Sequence, residues 1–195
     1  IGFPAFLEQA QMRAAMSVYQ IIISGLGTTV YAAHALTMRI EEFAFMPSFG
    51  FSVATTTLVG QFLGAKRPDL AEKSAKQAVK YCIIAMLTMG SITFFFGGRL
   101  LSLFISDPEV LKLGALGLQI WAFVMPGLAI NGVLSGALRG AGDTKWVLYL
   151  STIGMWTVRV GGGALMVYVF QLGAPGAWAG AILDQTVRAF IIWLR

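Results

Sequence analysis

Eight charged side chains lie within stretches of this chain that are otherwise apolar, and their signs cancel. The set consists of Arg13, Arg39, Arg159 and Arg188 and of Glu8, Glu41, Glu42 and Asp184. A charge in the hydrocarbon of a membrane costs about 3 kcal/mol even on lenient insertion scales. We therefore expect these side chains to face one another, or water, inside a helical bundle, where they would mark a transport pathway.

The composition identifies a lipid bilayer as the solvent of this chain. Of its 195 residues, 57% are hydrophobic and only 12% are charged, and the mean hydropathy is +0.75. A soluble domain of this size is far less apolar. Since a spanning helix needs about 20 mostly apolar residues, we predict an all-α membrane protein with a six-helix bundle. The predicted spans are 1–24, 32–61, 79–98, 113–138, 146–170 and 176–194.

The net charge of +5 resides in the connections between these spans. The segment 66–80 carries five Lys or Arg residues, whereas 25–31 and 171–175 carry none. Because cytoplasmic loops are enriched in cations, the segment 66–80 and both chain ends are predicted to be cytoplasmic. Arg139 and Lys145 are interpreted as topology determinants in another cytoplasmic loop. This distribution disfavours nucleic acid as a partner.

Two connections carry local signals of helix formation. Apolar residues recur among charges over 68–80, which suits an amphipathic interfacial helix and a solvated loop equally well. The sequence Ser106-Asp107-Pro108-Glu109 has the cap and the acidic first turn that open a helix. The single cysteine, Cys82, excludes an internal disulfide framework and is interpreted as inert packing.

Two prolines within predicted spans are expected to kink their helices. Pro47 removes one backbone hydrogen bond, and in lipid the freed carbonyl must be met by a neighbour or by cavity water. Pro4 lies one helical turn before Glu8 and would loosen the backbone on the same side.

Glycines recur at four-residue spacing, a pattern that lets membrane helices approach closely. The members are Gly60 and Gly64; Gly132, Gly136 and Gly140; and Gly176 and Gly180. The run Gly161 to Gly163 is different, because each glycine weakens a helix by about 1 kcal/mol relative to alanine. It predicts a flexible or closely packed point in the fifth span.

Glu8 is the leading candidate for coupling chemistry. A carboxylate in a low-dielectric cavity can bind a proton, a sodium ion or a cationic compound in turn, and Tyr19 falls near the same helix face. A structural ion pair between Glu8 and one of the four embedded arginines is the alternative.

The spacing of the other charges predicts two pairs within single helices. Arg39 and Glu42 are three residues apart, and Asp184 and Arg188 are four apart, so each pair can meet on one face. We interpret the second pair as self-contained and structural. Glu41 points elsewhere and needs a partner on another helix. Its candidate partners are Arg159 and Arg13.

The fourth span carries uncharged polar residues, Gln119 and Asn131 among them. Their amides could coordinate a cation or contact a substrate, and they could equally join helices. His34, near the outer end of the second span, is interpreted as an interfacial residue.

Patterns typical of enzymes are missing from the sequence. It contains no HExxH, paired CxxC, GxSxG or GxxxxGK[ST] motif, so neither metal catalysis nor nucleotide hydrolysis is predicted. No cofactor is expected, and transport would draw on an ion gradient or on a motor elsewhere.

Three sequence strings together resemble the carboxy-terminal half of the multidrug and toxic compound extrusion (MATE) family. They are PAFLEQ at 4–9, FMPSFGFSVATTTLVGQFLGA at 45–65 and SGALRGAGDTK at 135–145. The resemblance extends over nearly the whole chain.

The resemblance implies a twelve-helix antiporter of two six-helix lobes in the bacterial inner membrane, working by alternating access. Residues 1–195 would form helices seven to twelve, as a fragment lacking the N-terminal lobe. Cationic or amphiphilic compounds would leave the cell in exchange for H⁺ or Na⁺, with Glu8 as the coupling carboxylate. Possible cavity or substrate contacts are Gln9, Tyr19, Gln119 and Asn131. The span 113–138 lacks the second acid of some sodium-coupled members.

Two other functions compete with this interpretation. A carrier similar to a lipid-linked oligosaccharide flippase would need an excess of cavity cations to meet pyrophosphate. A non-transporting membrane scaffold would not depend on Glu8 at all.

Overall fold

The computed structural model describes the backbone of residues 2–194 and the side chains of residues 6–194. Within that range every regular element is a helix, which confirms the all-α prediction. The elements are α1 (Gly2–Ser24), α2 (Thr28–Gly64), α3 (Pro68–Ser102), α4 (Pro108–Ala122), α5 (Met125–Gly140), α6 (Thr144–Ile153), a π-helical segment (Gly154–Gly162), α7 (Gly163–Tyr168) and α8 (Gly173–Leu194).

All six predicted spans fall on helices. By length and hydropathy, α2 and α3 can each cross a membrane, and α4 with α5 can cross as one bent span. The other three spans lie on α1, on the continuous run from α6 to α7, and on α8, and each carries embedded charges. One apolar cluster joins α1 to the π-helical segment, α7 and α8, and a second joins α2, α3 and α5.

The segments between the predicted spans mostly have the local structure that the sequence predicts. Asp107 caps α4, because its Oδ1 accepts hydrogen bonds from the backbone N–H groups of Glu109 and Val110 at 2.9 and 3.3 Å. The stretch 68–80 is helical, but it is the first part of α3 and not a separate interfacial element. Gly142, at φ +87°, makes the tight turn after α5.

The prolines behave differently from one another. α2 runs unbroken through Pro47 for 37 residues, about 55 Å at 1.5 Å per residue, so this proline does not end the helix and its kink stays a prediction. Pro4 lies in the first described turn of α1, where a kink is not tested. A bend of 53° instead separates α4 from α5, where Pro126 has no N–H to donate to the Ala122 carbonyl.

The predicted glycine packing is confirmed at one seam. On α5, Gly132, Gly136 and Gly140 face, in turn, Ser48, Ser52 and Thr56 of α2. A Cβ on Gly136 or Gly140 would collide with the backbone carbonyl opposite it, and Thr56 Oγ1 donates a hydrogen bond to the Gly136 carbonyl at 2.9 Å. The seam fixes α5 against α2. At Gly64, by contrast, an added Cβ would meet no described atom of another helix within 4 Å.

The glycine run of the fifth span is also a close-packing point. A Cβ on Gly180 of α8 would lie 2.8 Å from the backbone N of Gly163. The π-helical geometry of 154–162 was not predicted from the sequence. Its wider turns place Arg159 against α8, in keeping with the tendency of π-helices to occur at functional sites.

Replacing Gly136 with alanine should destabilise the protein, since the added methyl group meets a backbone carbonyl that cannot rotate away. Overpacking of this kind lowers the free energy of unfolding by about 1–3 kcal/mol. The matched control is Gly50→Ala in α2, where nothing lies within 4 Å and stability should hold or rise. Thermal unfolding in detergent provides the comparison, and equal melting temperatures for the two variants would contradict the packing argument.

Candidate coupling and substrate cavity

A cavity of about 480 Å³ lies among α1, α2, α5, α6, the π-helical segment and α8. Apolar side chains such as Met12, Met16 and Phe45 line part of it, and hydroxyls of α2 line another part. Its charged lining residues are Glu8, Arg139, Arg159 and Arg188. The cavity therefore combines an apolar wall with a few ionised groups, as ligand sites usually do.

Glu8 forms an ion pair with Arg139, whose Nη2 donates to Glu8 Oε1 at 2.7 Å. The Glu8 side chain is 5% exposed and the Arg139 side chain is 33% exposed. The interpretation of Arg139 as a topology residue therefore missed its main contact. The predicted fourth span stopped at residue 138, whereas α5 continues to Gly140 and places Arg139 in the last helical turn, facing the cavity.

A second buried cluster joins the π-helical segment to α8. Asp184 Oδ2 accepts a short hydrogen bond from Arg188 Nη2 and lies 3.3 Å from Arg159 Nε. All three side chains are at most 6% exposed. The prediction of a self-contained Asp184–Arg188 pair is wrong, because the close approach at Gly154 brings Arg159 to the same carboxylate.

The remaining embedded charges divide into buried and exposed ones. Arg39 and Glu42 pair at 3.5 Å as predicted, but their side chains are 78% and 70% exposed. Arg13 is also exposed. Glu41 is buried, its Oε1 lacks a hydrogen-bond partner in the described part of the chain, and Arg159 interacts with it electrostatically.

Negative and positive charges are still equal in number in the interior, but the residues that carry them differ from those predicted. Among the described side chains, three buried carboxylates belong to the interior and three arginines accompany them. They are Glu8, Glu41 and Asp184, and Arg139, Arg159 and Arg188. Arg139 is the member that the sequence prediction lacked, although the string SGALRGAGDTK contains it.

Two of the predicted polar contacts lie at the cavity. Gln9 and Asn131 line it, and Asn131 Nδ2 donates to Gln185 Oε1 of α8 at 3.1 Å. Gln185 lines the cavity as well and was missed, although it directly follows Asp184 in the sequence. Asn131 therefore joins two helices while it faces the cavity.

Three other polar residues lie elsewhere. Gln119 is exposed on α4 and is not among the described cavity-lining residues. Tyr19 is buried outside the cavity, where its hydroxyl donates to the Ala177 carbonyl at 2.9 Å. His34 is 2% exposed and accepts a hydrogen bond from Trp178 Nε1 at 3.3 Å, so it packs inside the bundle, and its position at the membrane interface stays a prediction.

The fold and the site define a helical membrane protein with a charged internal cavity, the arrangement of a transporter. The family model MatE matches residues 4–165. The chain belongs to the MATE family and is an integral membrane protein.

Known proteins are similar to this chain over nearly its whole length. The probable multidrug resistance protein NorM of Thermotoga maritima is 34% identical over 97% of this chain and 41% of its own length. A crystal structure of MATE in the bent conformation is similar to the whole of this chain, with a TM-score of 0.93 and 22% identity. The match covers 43% of the length of the MATE chain. The chain spans less than half the length of the curated relatives it matches, and its fold is that of one half of the transporter.

A further solved structure has a fold similar to that of this chain. It is a MOP superfamily transporter from Pyrococcus furiosus, described as having a binding pocket of reverse polarity that suggests a different function. The two structures superpose with a TM-score of 0.92 at 20% identity. The match covers 98% of this chain and 43% of the Pyrococcus chain.

Replacing Asp184 with asparagine should destabilise the protein strongly, because Arg159 and Arg188 would lose their shared counter-ion. Removing one member of a buried ion pair typically costs about 3–5 kcal/mol. Glu42→Gln, which breaks an exposed pair one turn apart, is the control and should cost less than about 1 kcal/mol. Melting temperatures measured in detergent test this prediction. Similar falls in melting temperature for both variants would show that the buried cluster contributes little to stability.

Proposed function

We propose that this chain is the second six-helix lobe of a twelve-helix exporter in the bacterial inner membrane. The exporter would expel organic compounds, cationic or amphiphilic ones above all, in exchange for H⁺ or Na⁺. One observation carries the proposal: a buried carboxylate, Glu8, lies on the wall of a 480 Å³ cavity. The lengths of the relatives support the assignment to one lobe, helices seven to twelve of the presumed transporter.

Coupling would depend on exclusive occupation of Glu8. A proton or sodium ion arriving from outside and a cationic group arriving from the cytoplasm would compete for the same carboxylate. Among the described residues no group of three or more His, Cys, Asp or Glu could hold a metal ion. A sodium ion at Glu8 would therefore need neutral oxygen ligands to complete its shell, which suits a weakly bound coupling ion.

The rest of the cavity would supply substrate contacts of low specificity. Met12, Met16 and Phe45 offer adaptable apolar surface, since methionine side chains adjust to many shapes. Asn131 and Gln9 add hydrogen-bonding groups beside the carboxylate. Alternating access would follow from rocking this lobe against the other one around the cavity.

The test is substrate efflux from vesicles that contain the full-length transporter, under separate sodium and proton gradients. Glu8→Gln keeps the shape of the side chain but removes its charge, and it should lower coupled efflux at least tenfold. Glu42→Gln, an exposed carboxylate, is the control and should retain efflux. If Glu8→Gln preserves both coupled fluxes, the assignment of Glu8 fails, and the scaffold function gains support if no flux is found at all.

A carrier of anionic compounds is the second candidate, and the charges of the cavity wall favour it. Arg139, Arg159 and Arg188 line the cavity with a single carboxylate, Glu8, while Asp184 is fully buried behind two of them. Counted over the cavity-lining residues alone, three arginines to one carboxylate is the excess of cations expected of a lipid-linked oligosaccharide carrier. Faster transport of an anionic compound than of a cationic one of equal size would favour this candidate.

A further inference from the structure

We infer that Arg139 is a tethered cation that occupies the Glu8 carboxylate between transport steps, so that a coupling ion or cationic substrate must displace it. This inference rests on the proposed function of Glu8. The inference adds Arg139, on a different helix, to the site. Arg139 would set the affinity of Glu8 for the coupling ion and would prevent the ion and a cationic substrate from binding at the same time.

The geometry of the pair is asymmetric. Glu8 is almost completely buried, whereas a third of the Arg139 side chain is exposed, and both line the cavity. The carboxylate is thus held in the wall, while the long arginine side chain has open space on its cavity side. The guanidinium can turn away from Glu8 into that space, but the carboxylate has no comparable room.

The tether is rigid at its base. Arg139 lies in the last turn of α5, which the Gly136 and Gly140 contacts fix against α2. A group held this close to its partner has a high effective concentration. A free ion must therefore compete with a cation that is always present, which weakens its apparent affinity.

The other charged side chains around the cavity are not placed to occupy the Glu8 carboxylate as Arg139 does. The π-helical segment contributes Arg159 and α8 contributes Arg188, and both are bound to Asp184. The lining residues of α2 and α6 are uncharged in the described structure, and α1 contributes Glu8 as its charged member. Arg188 also interacts with Glu8 electrostatically, but Arg139 is the described cation that is hydrogen-bonded to it.

Displacement would have a direct consequence for exchange. When a proton or sodium ion neutralises Glu8, the released guanidinium adds a positive charge to the cavity. That charge opposes binding of a cationic compound while the ion is present. Arg139 would therefore enforce the mutual exclusion that antiport requires, and it would satisfy the buried carboxylate when neither ligand is bound.

The first experiment measures the ion dependence of transport by Arg139→Gln in the full-length protein in vesicles. Without the competing cation, the Na⁺ concentration for half-maximal coupling should fall about tenfold. If protons are the coupling ion, the pH of half-maximal coupling should rise by about one unit. Arg139→Lys retains the charge and should lie near the wild type, and Arg13→Gln, an exposed arginine, is the matched control.

Wild-type protein offers a second measurement that does not depend on folding of a variant. Labelling of Arg139 by phenylglyoxal, followed by mass spectrometry and normalised to Arg13, should increase several-fold when Na⁺ or protons saturate Glu8. In the Glu8→Gln protein the labelling should be high and independent of the ion.

Distinct outcomes overturn the inference. An unshifted ion dependence in Arg139→Gln, an equal shift in Arg139→Lys, or ion-independent labelling of wild-type Arg139 would each contradict it. A wild-type transporter coupled to neither ion would instead overturn the proposed function. A coupled transporter with an unshifted Arg139→Gln variant would leave that function standing and remove only the tethered cation.

Discussion

A charge inside a membrane bundle must be neutralised there, and this requirement organises the arrangement of the helices. Three buried carboxylates and three arginines from five helical elements meet that requirement among the described residues. Glu8 with Arg139 joins α1 to α5, and Asp184 joins α8 to the π-helical segment. Since no hydrophobic effect drives helices together in lipid, these contacts contribute to the arrangement of the helices and also determine which charges the cavity presents.

Close packing makes these contacts possible. The glycine seam between α2 and α5 fixes the end of α5 from which Arg139 reaches Glu8. Gly154 similarly leaves room for Asp184 and Arg188, because a Cβ there would lie 2.6 Å from the Asp184 carboxylate. The small residues therefore act on the chemistry of the site indirectly, by setting how near the charged helices come to one another.

The sequence predicts what depends on local spacing. The helical spans, the Asp107 cap and the Arg39–Glu42 pair all follow from residues a few positions apart, and all are present. The partner of Glu8 lies 131 residues away, and a two-residue error at the end of a span assigned Arg139 to a loop. Long-range pairing of this kind depends on helix packing, which periodicity does not encode. The bend beside Pro126 had a signal in Pro126-Gly127, but the packing of the bend against Gly90 of α3 is a long-range contact that this dipeptide does not encode.

The π-helical segment changes how the faces of this helix are assigned from the sequence. Each residue in a π-helix advances less around the axis than in an α-helix, so the faces of α6 and α7 are out of phase with each other. A helical wheel drawn through 146–170 at 3.6 residues per turn would therefore assign residues after Gly154 to the wrong side. Accessibility measured residue by residue along this helix should follow two separate phases, which meet within the π-helical segment 154–162.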